Sequence, residues 1–394
     1  MNLKKRFSTF FAALLCLSLV AVTGCSSSEP EPQGGMIKIG GNFELTGGMS
    51  EYGKKAENGV LLAVKEANAS GGVLGKQIEY VGSDNKSETT QAAAAVTILA
   101  VQDQVAGIIG PVTNGNILGL LEAVADNQIP LITPTGTNES ITLKSNGTVN
   151  KWLFRACFIN SYQGTVAANF ALDTLKASKA AVITDQKANY AAYSNGLAKN
   201  FIETFTKAGK EIVDSEQYNT EETKDYSNIL NRIKEKNPDV IFLPGYYSEA
   251  GAIIKQARDL GLKMPIIGGD GWTGSLIDIA GKDALNNTYY VDHFAGDDPA
   301  AADFVKAYKD EYKQDADNFS ALGYDAAKML IAAINKANST DSDQVRAALE
   351  TMTSFQGVTG EMTVDPATHN TQKSAAILKY VNGKKMFAQR VTPQ

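Results

Sequence analysis

Residues 266–275 read "IIGGDGWTGS". Gly269, Gly271 and Gly274 fit G-x-G-x-x-G, the spacing of dinucleotide-binding loops, in which backbone N–H groups and a helix N-terminus face a pyrophosphate. Two features turn that reading around. Asp270 stands in the middle of the loop, where it repels an anion at close range. The loop also comes late in a series of strands and helices, not at the first strand-to-helix turn where the fingerprint belongs. In a chain with 35 glycines the spacing alone is weak. An aspartate held at the carboxyl end of a strand suits a cation instead, such as an α-ammonium group.

Upstream of this loop, short apolar runs alternate with amphipathic segments. "KAAVITDQ" (179–186), "KEIVDSEQY" (210–218) and "DVIFLPGYY" (239–247) read as strands, with "NGLAKNFIETFTKAG", "YSNILNRIKEKNP" and "EAGAIIKQARDLG" as the helices among them. An earlier series has the same form: "MIKIGGNF" (36–43), "QIEYVGSD" (77–84), "VAGIIGPV" (105–112) and "IPLITPTGT" (129–137), with helices between. Beyond "NTYYVDHF" (287–294) the chain turns helix-rich, and it closes on the strands "GEMTVDP" and "SAAILKYVNGKKMFAQRV". The pattern predicts an α/β protein with two doubly wound parallel sheets and a ligand cleft at the carboxyl ends of their strands.

The N-terminus, "MNLKKRFSTFFAALLCLSLVAVTGC", sets Lys4, Lys5 and Arg6 before an apolar run from Phe10 to Val22. This is the pattern of an export signal over residues 1–24, and the run is shorter than the roughly 18 to 20 residues of a membrane span. "VTGC" resembles a bacterial lipobox, which implies lipidation of Cys25 and anchoring to the outer face of the cell membrane. Residues 25–35, containing "SSSEPEPQGG", have no apolar side chain to bury and read as a flexible tether.

Of the three cysteines, Cys16 leaves with the signal and Cys25 carries lipid, so Cys157 stands alone as a buried core residue, with no disulfide or cysteine-based metal site. The formal charge of −6 and the lack of a basic cluster disfavour nucleic acid. Two histidines, His293 and His369, provision neither a catalytic triad nor a multi-histidine metal site. "SGGVLGKQ" (70–77) lacks the glycine and hydroxyl spacing of a phosphate loop and reads as a helix end and turn. A binding protein without catalysis, metal or cofactor is expected.

A cationic partner for Asp270 asks for a carboxylate grip on the other lobe. "GIIGPVTNGN" runs from strand through turn to helix, placing Thr113, Asn114 and Gly115 at a helix N-terminus. The next strand ends in "LITPTGTNES", with Thr135, Gly136 and Thr137 beside it. Such a pair of grips recognises an α-amino acid zwitterion. Taken singly, Thr113 and Thr137 also fit helix caps, Asn114 a turn, and Asp270 an N-cap for "SLIDIAGKDAL". Trp272 fits lobe packing.

"IGPVTNGN", "ITPTGTN", "VIFLPGYYSEAGAIIKQARDLG", "IIGGDGW" and "ALGYDAAKMLIAAI" occur in an order that resembles the branched-chain amino acid-binding lipoproteins and periplasmic proteins of ATP-binding cassette importers, from about Met36 to the C-terminus. The resemblance implies two Rossmann-like lobes of the type I periplasmic-binding-protein class, joined by three hinge crossings near Cys157–Ser161, Val291–Ala295 and Phe355–Val358. Lobe 1 would hold residues 36–157 and 295–355, and lobe 2 residues 158–294 and 356–394. It places carboxylate contacts on Asn114, Gly115 and Thr137, and ammonium contacts on Thr135, Thr137 and Asp270. Tyr246 would bond the ligand's polar end, while Tyr52, Val112, Tyr193 and Phe319 would wall its side chain.

The chain departs from the family in having Asn114 where a serine is common and Asp270 where the best-known members have Glu. A longer "DQKANYAAYSNGLAKNF" leaves Tyr190 or Tyr193 as the stacking tyrosine. The implied function is capture of leucine, isoleucine or valine by a monomer that delivers it to a membrane permease. The alternatives are a receptor-type sensor, a binder of amides, urea-like compounds or aromatic acids on the same fold, and a nucleotide-cofactor enzyme.

Overall fold

The computed structural model describes residues 35–392. The signal segment, Cys25 and the tether up to residue 34 lie outside the described residues. Among the described residues, no helix is long and apolar enough to cross a membrane.

The first sheet is wholly parallel, in the order β2-β1-β3-β4-β5, with β1 Ile37–Phe43, β2 Ile78–Asp84, β3 Ile108–Ile109, β4 Leu131–Thr133 and β5 Leu153–Arg155. Its central strands are continuous apolar runs because helices cover both faces. The connecting helices are α1 (Ser50–Ala69), α2 (Thr89–Thr97), and the pair α3 (Asn114–Gly119) and α4 (Leu121–Asn127). The helix expected over "NILGLLEAVADN" is broken at Leu120, whose φ and ψ of −105° and 0° leave the helical region. β5 is absent from the pattern read in the sequence: its three residues end on an arginine that is fully buried here.

The second sheet runs β15-β14-β10-β9-β8-β6-β7. Strands β6 (Lys179–Asp185), β7 (Glu211–Tyr218), β8 (Val240–Phe242), β9 (Ile266–Gly268) and β10 (Thr288–Asp292) are parallel, while β14 (Ala375–Val381) and β15 (Lys384–Val391) form an antiparallel hairpin on one edge. Between them lie α5 (Asn160–Asn169), α6 (Ala188–Lys207), α7 (Ser227–Lys236), α8 (Tyr247–Asp259) and the short α9 (Leu276–Ala280). Both sheets therefore reverse direction between their first and third strands, and each carries a topological switch point at the carboxyl ends of its strands.

Helices α10 (Ala302–Tyr312), α11 (Asn318–Ala337) and α12 (Ser342–Glu350) return to the first lobe. α11 starts on a capping box, with Asp317 and Ser320 bonded reciprocally, and buries Leu322, Ala326, Met329, Leu330, Ala333 and Ile334 along one stripe. It crosses α1 closely. A Cβ on Gly59 would lie 2.0 Å from the Ser320 carbonyl, and one on Gly323 would lie 2.1 Å from that of Ala56, so only glycine admits this approach.

The chain passes between the two sheets at residues 156–159, 293–298 and 373–374. The third passage, expected at Phe355–Val358, comes later for a physical reason. Residues 355–372 form a small antiparallel sheet of β11 (Phe355–Gly357), β12 (Gly360–Val364) and β13 (Thr371–Gln372) that is bonded to the first lobe. Val358 and Thr359 donate backbone N–H groups to Asp325, the Thr371 hydroxyl bonds the Arg155 carbonyl, and Asn370 accepts from Thr142.

Candidate functional site

Each sheet sends side chains from its strand ends into one narrow cavity between the lobes. From the first lobe come Tyr52 on α1, Val112, Thr113 and Asn114 after β3, Thr135 after β4, and Phe319 on α11; from the second come Tyr193 on α6, Tyr246 before α8, and Asp270 and Gly271 after β9. With the lobes in contact the cavity is nearly closed: its volume is about 10 Å³, room for about one water, so anything larger needs the lobes to part. Larger hollows occur elsewhere among the described residues, one between Lys55, Asp317 and Lys385 and a more enclosed one by Met49, Thr113, Asn116 and Tyr190.

The glycine-spaced loop holds no anion site. Asp270 opens a single 3-10 turn ending at Trp272, and the helix that follows, α9, has only five residues. Trp272 is fully buried in the lobe core and donates its indole N–H to the Leu243 carbonyl (3.1 Å). Asp270 is 3% exposed and does not cap α9. Its Oδ1 accepts from the Tyr193 hydroxyl at 2.8 Å, and its Oδ2 lies 3.1 Å from His293 Nε2. The Tyr193 hydroxyl in turn accepts from the Gly271 N–H at 3.0 Å. A Cβ on Gly269 would lie 2.4 Å from Gln163 Oε1 and 2.5 Å from the Tyr193 hydroxyl, so the loop passes beneath these side chains only as glycine.

Burial governs the charges. It pushes His293 down to about 4 although Asp270 pulls the other way, so the imidazole is neutral near pH 7. Burial, followed by the Asp270 charge, raises the Tyr193 hydroxyl well above the usual tyrosine value, and the same two causes raise the neighbouring Asp292.

The first lobe carries a residue that the sequence pattern did not flag. Glu44, directly after β1, is completely buried and accepts from the N–H groups of Val112 and Thr113 (3.1 Å each), the Thr113 hydroxyl (2.7 Å) and the Asn116 amide (2.9 Å). Desolvation raises its pKa, and these donors partly offset the rise. The Thr113 groups expected to face a ligand carboxylate are thus engaged by the chain's own glutamate. Thr113 lines the cavity without a free donor.

The remaining expected residues divide. Asn114 lines the cavity while its side chain bonds the Thr137 hydroxyl (3.2 Å) and the Asn138 N–H (3.1 Å), and the Thr135 hydroxyl donates to the Val112 carbonyl (2.6 Å). Gly115, Gly136 and Thr137 are not among the lining residues. Thr137 stands behind Asn114. The Gly136 N–H goes to the Thr133 hydroxyl, and its carbonyl accepts from Arg155 (2.5 Å), which also bonds Asn138 and Thr142 and so braces the loop after β4. Of the two tyrosines left open, Tyr193 lines the cavity and stacks on Tyr246 (5.0 Å, 15°); Tyr190 stands outside it, edge-on to Tyr246.

Direct contacts join the lobes around the cavity. The Tyr52 ring stacks on Phe319 (4.2 Å, 17°), and its hydroxyl donates to the Gly271 carbonyl (2.6 Å) and accepts from the Tyr247 N–H (3.3 Å). Nearby, the Ser275 hydroxyl bonds Glu51 (3.0 Å), and Asn318 donates to the Asp270 carbonyl (3.3 Å). Behind Asp270, the side-chain amides of Asn160 and Gln163 are buried without protein partners, the setting in which ordered water is commonly held.

Glu44, His293 and Asn318 escaped the sequence reading, and Gly271 was read only as part of the glycine spacing. Glu44 and His293 carried a faint signal: an acid immediately after the first strand at a switch point, and one of only two histidines at the end of another strand. Asn318 carried none.

A family model described as "Periplasmic binding protein" matches residues 36–385. A Leu/Ile/Val-binding protein of Rhizobium johnstonii, BraC3, is 31% identical over 358 residues, covering 90% of this chain and 94% of the relative. The crystal structure of the branched-chain amino acid transporter substrate-binding protein LivJ from Streptococcus pneumoniae, in complex with isoleucine, superposes with a TM-score of 0.84 at 36% identity, covering 91% of this chain and all of that one. The leucine-binding protein LivK from Thermotoga maritima gives 0.83 at 31% identity, covering 91% of this chain and 99% of its own. The two lobes of parallel sheet superpose on these structures over nearly their whole length, and the chain belongs to the periplasmic binding protein family.

Proposed function

We propose that the protein captures an α-amino acid with an apolar side chain, of the leucine, isoleucine and valine class, and presents it to the permease of an ATP-binding cassette importer. The observation that carries this reading is Asp270: a buried carboxylate held by neutral partners at the end of an aromatic-walled cavity, which attracts one positive charge and no more. The carbonyl of Thr135 is a second acceptor for the ammonium. The N–H of Asn114, a cavity-lining residue in the first turn of α3 with no acceptor within its own helix, receives the ligand's carboxylate. Tyr52, Val112, Tyr193, Tyr246 and Phe319 leave the far side apolar, and the relatives named for leucine, isoleucine and valine accord with that wall. The protein carries out no chemical step and needs no cofactor. Cys25 holds it to the outer face of the membrane by its lipid, as a monomer.

The test is thermal unfolding of the protein, refolded to remove carried ligand, against the twenty amino acids, several amides and common nucleotides. A ligand at about 100 times its Kd adds roughly 2.7 kcal/mol, enough to shift the midpoint by a few degrees. A shift confined to leucine, isoleucine and valine is expected. A response to an amide or nucleotide with none to any amino acid would overturn the reading.

A further inference from the structure

Asp270 does not stand alone at the cavity's polar end. Its Oδ2 is 3.1 Å from Nε2 of His293, a fully buried residue that follows β10 at the start of the second passage between the lobes. The imidazole lies face to face with Phe158, with ring centroids 3.5 Å apart and planes 25° apart, and Phe158 belongs to the first passage. The backbone N–H of His293 is also tied, to Asp292 Oδ1 at 2.6 Å. The ring is therefore clamped on its face and at its base, and one nitrogen is aimed at the carboxylate.

The tautomer follows from the partner. An ionised carboxylate only accepts, so Nε2 carries the proton. Nδ1 is buried without a hydrogen-bond partner among the described residues. Charging the ring would place a second N–H there with nothing to receive it. The pKa pushed down to about 4 agrees with this geometry. A neutral donor orients Asp270 without cancelling its charge; a lysine or arginine in the same place would occupy the carboxylate as a salt bridge and leave nothing for an ammonium.

We infer that His293 is a positioning residue for ligand recognition: clamped on Phe158, it donates Nε2–H to Asp270 Oδ2 and, opposite Tyr193 on Oδ1, fixes the carboxylate that receives the ligand's ammonium. This rests on the amino-acid reading above. His293 lines no part of the cavity and acts only through Asp270.

The test is a double-mutant cycle read by calorimetric titration with leucine, using wild type, His293→Phe, Asp270→Asn and the double variant, with His293→Gln as the conservative replacement. Phenylalanine keeps the stack on Phe158 and removes the donor; glutamine restores an N–H at a similar reach. A hydrogen bond to a charged group is typically worth roughly 10- to 100-fold in affinity, so His293→Phe is expected to lose that much in the wild-type background. In the Asp270→Asn background it should lose less than about threefold, because there is no charge left to position. His293→Gln should recover most of the loss. An equal loss in both backgrounds, or no recovery with glutamine, assigns His293 to the core and overturns the inference. If His293→Phe does not fold, His293→Leu takes its place, and failure of both donor-less variants to fold likewise assigns His293 a core role and overturns the inference. A wild-type protein that binds no amino acid, or an Asp270→Asn variant that binds leucine undiminished, instead overturns the amino-acid reading itself.

Discussion

Removing a single oxygen from Tyr52 should weaken ligand binding without disturbing either lobe. In Tyr52→Phe the ring keeps its stack on Phe319, 4.2 Å away, and its place in the cavity wall. What disappears is the hydroxyl that donates to the Gly271 carbonyl at 2.6 Å and accepts from the Tyr247 N–H at 3.3 Å, both across the gap between lobes. A neutral hydrogen bond contributes about 0.5–1.5 kcal/mol net, and the longer contact stands at the lower end. The two together are worth about 1–2 kcal/mol to the form in which the lobes touch. When the lobes part, water replaces both partners, so the loss falls on that form alone.

With a mainly open ligand-free protein, the whole loss appears in Kd, as a factor of about 5 to 30. Calorimetric titration with leucine measures it. X-ray scattering of the ligand-free protein should match that of wild type, both being in the extended form, and the denaturant midpoint should stay near that of wild type. A Kd within about twofold of wild type would refute the idea that this hydroxyl helps to hold the lobes together.

Three further perturbations test the surroundings of the site. His293 has a folded pKa below its unfolded value, so the unfolded chain binds the extra proton between about pH 4 and 6.5, and stability rises with pH through that window and is level above it. On acidification from pH 7 to 4 the wild type should therefore lose about 3 kcal/mol that His293→Gln keeps, and urea midpoints showing identical pH dependence would contradict this. Glu44→Ala leaves four buried donors, from Val112, Thr113 and Asn116, without their acceptor; a destabilisation of at least about 3 kcal/mol by chemical denaturation is expected, and less than about 1 kcal/mol would mean that water replaces the carboxylate. Gly269→Ala drives a methyl into Gln163 and the Tyr193 hydroxyl, and should cost about 1–3 kcal/mol in stability and weaken leucine binding together; a fully stable variant with wild-type affinity would show that the loop has room to move.

The doubly wound architecture was legible because its central strands are unbroken apolar runs, such as Val240–Phe242 and Ile266–Gly268, set between segments of helical period. Where the pattern failed, a tertiary contact had replaced a local rule. β5 ends on Arg155, a residue that reads as surface until its guanidinium is seen to collect carbonyls from the loop after β4. The late third passage depends on Asp325, far upstream on α11, drawing Val358 and Thr359 to the first lobe. At the site, Asp270 was read from its own loop, while the aromatic wall was implied by the family resemblance. Glu44, by contrast, takes the Thr113 donors that the sequence offered to a ligand, and His293 reaches Asp270 only because β9 and β10 are neighbours in the sheet. Tyr190 and Tyr193 lie a turn apart on one helix, and packing against Tyr246 decides which faces the cavity.

The central claim is that Asp270 reads an α-ammonium group. It is tested most directly by titrating wild type and Asp270→Asn with leucine and with 4-methylpentanoate, which has the same side chain and carboxylate but no amine. Wild type should prefer leucine by roughly 30-fold or more, since a buried charge pair broken on one side costs about 2–5 kcal/mol, and Asp270→Asn should bind the two alike. Equal affinity of wild type for both ligands, or a preference for leucine that survives in Asp270→Asn, would contradict the account.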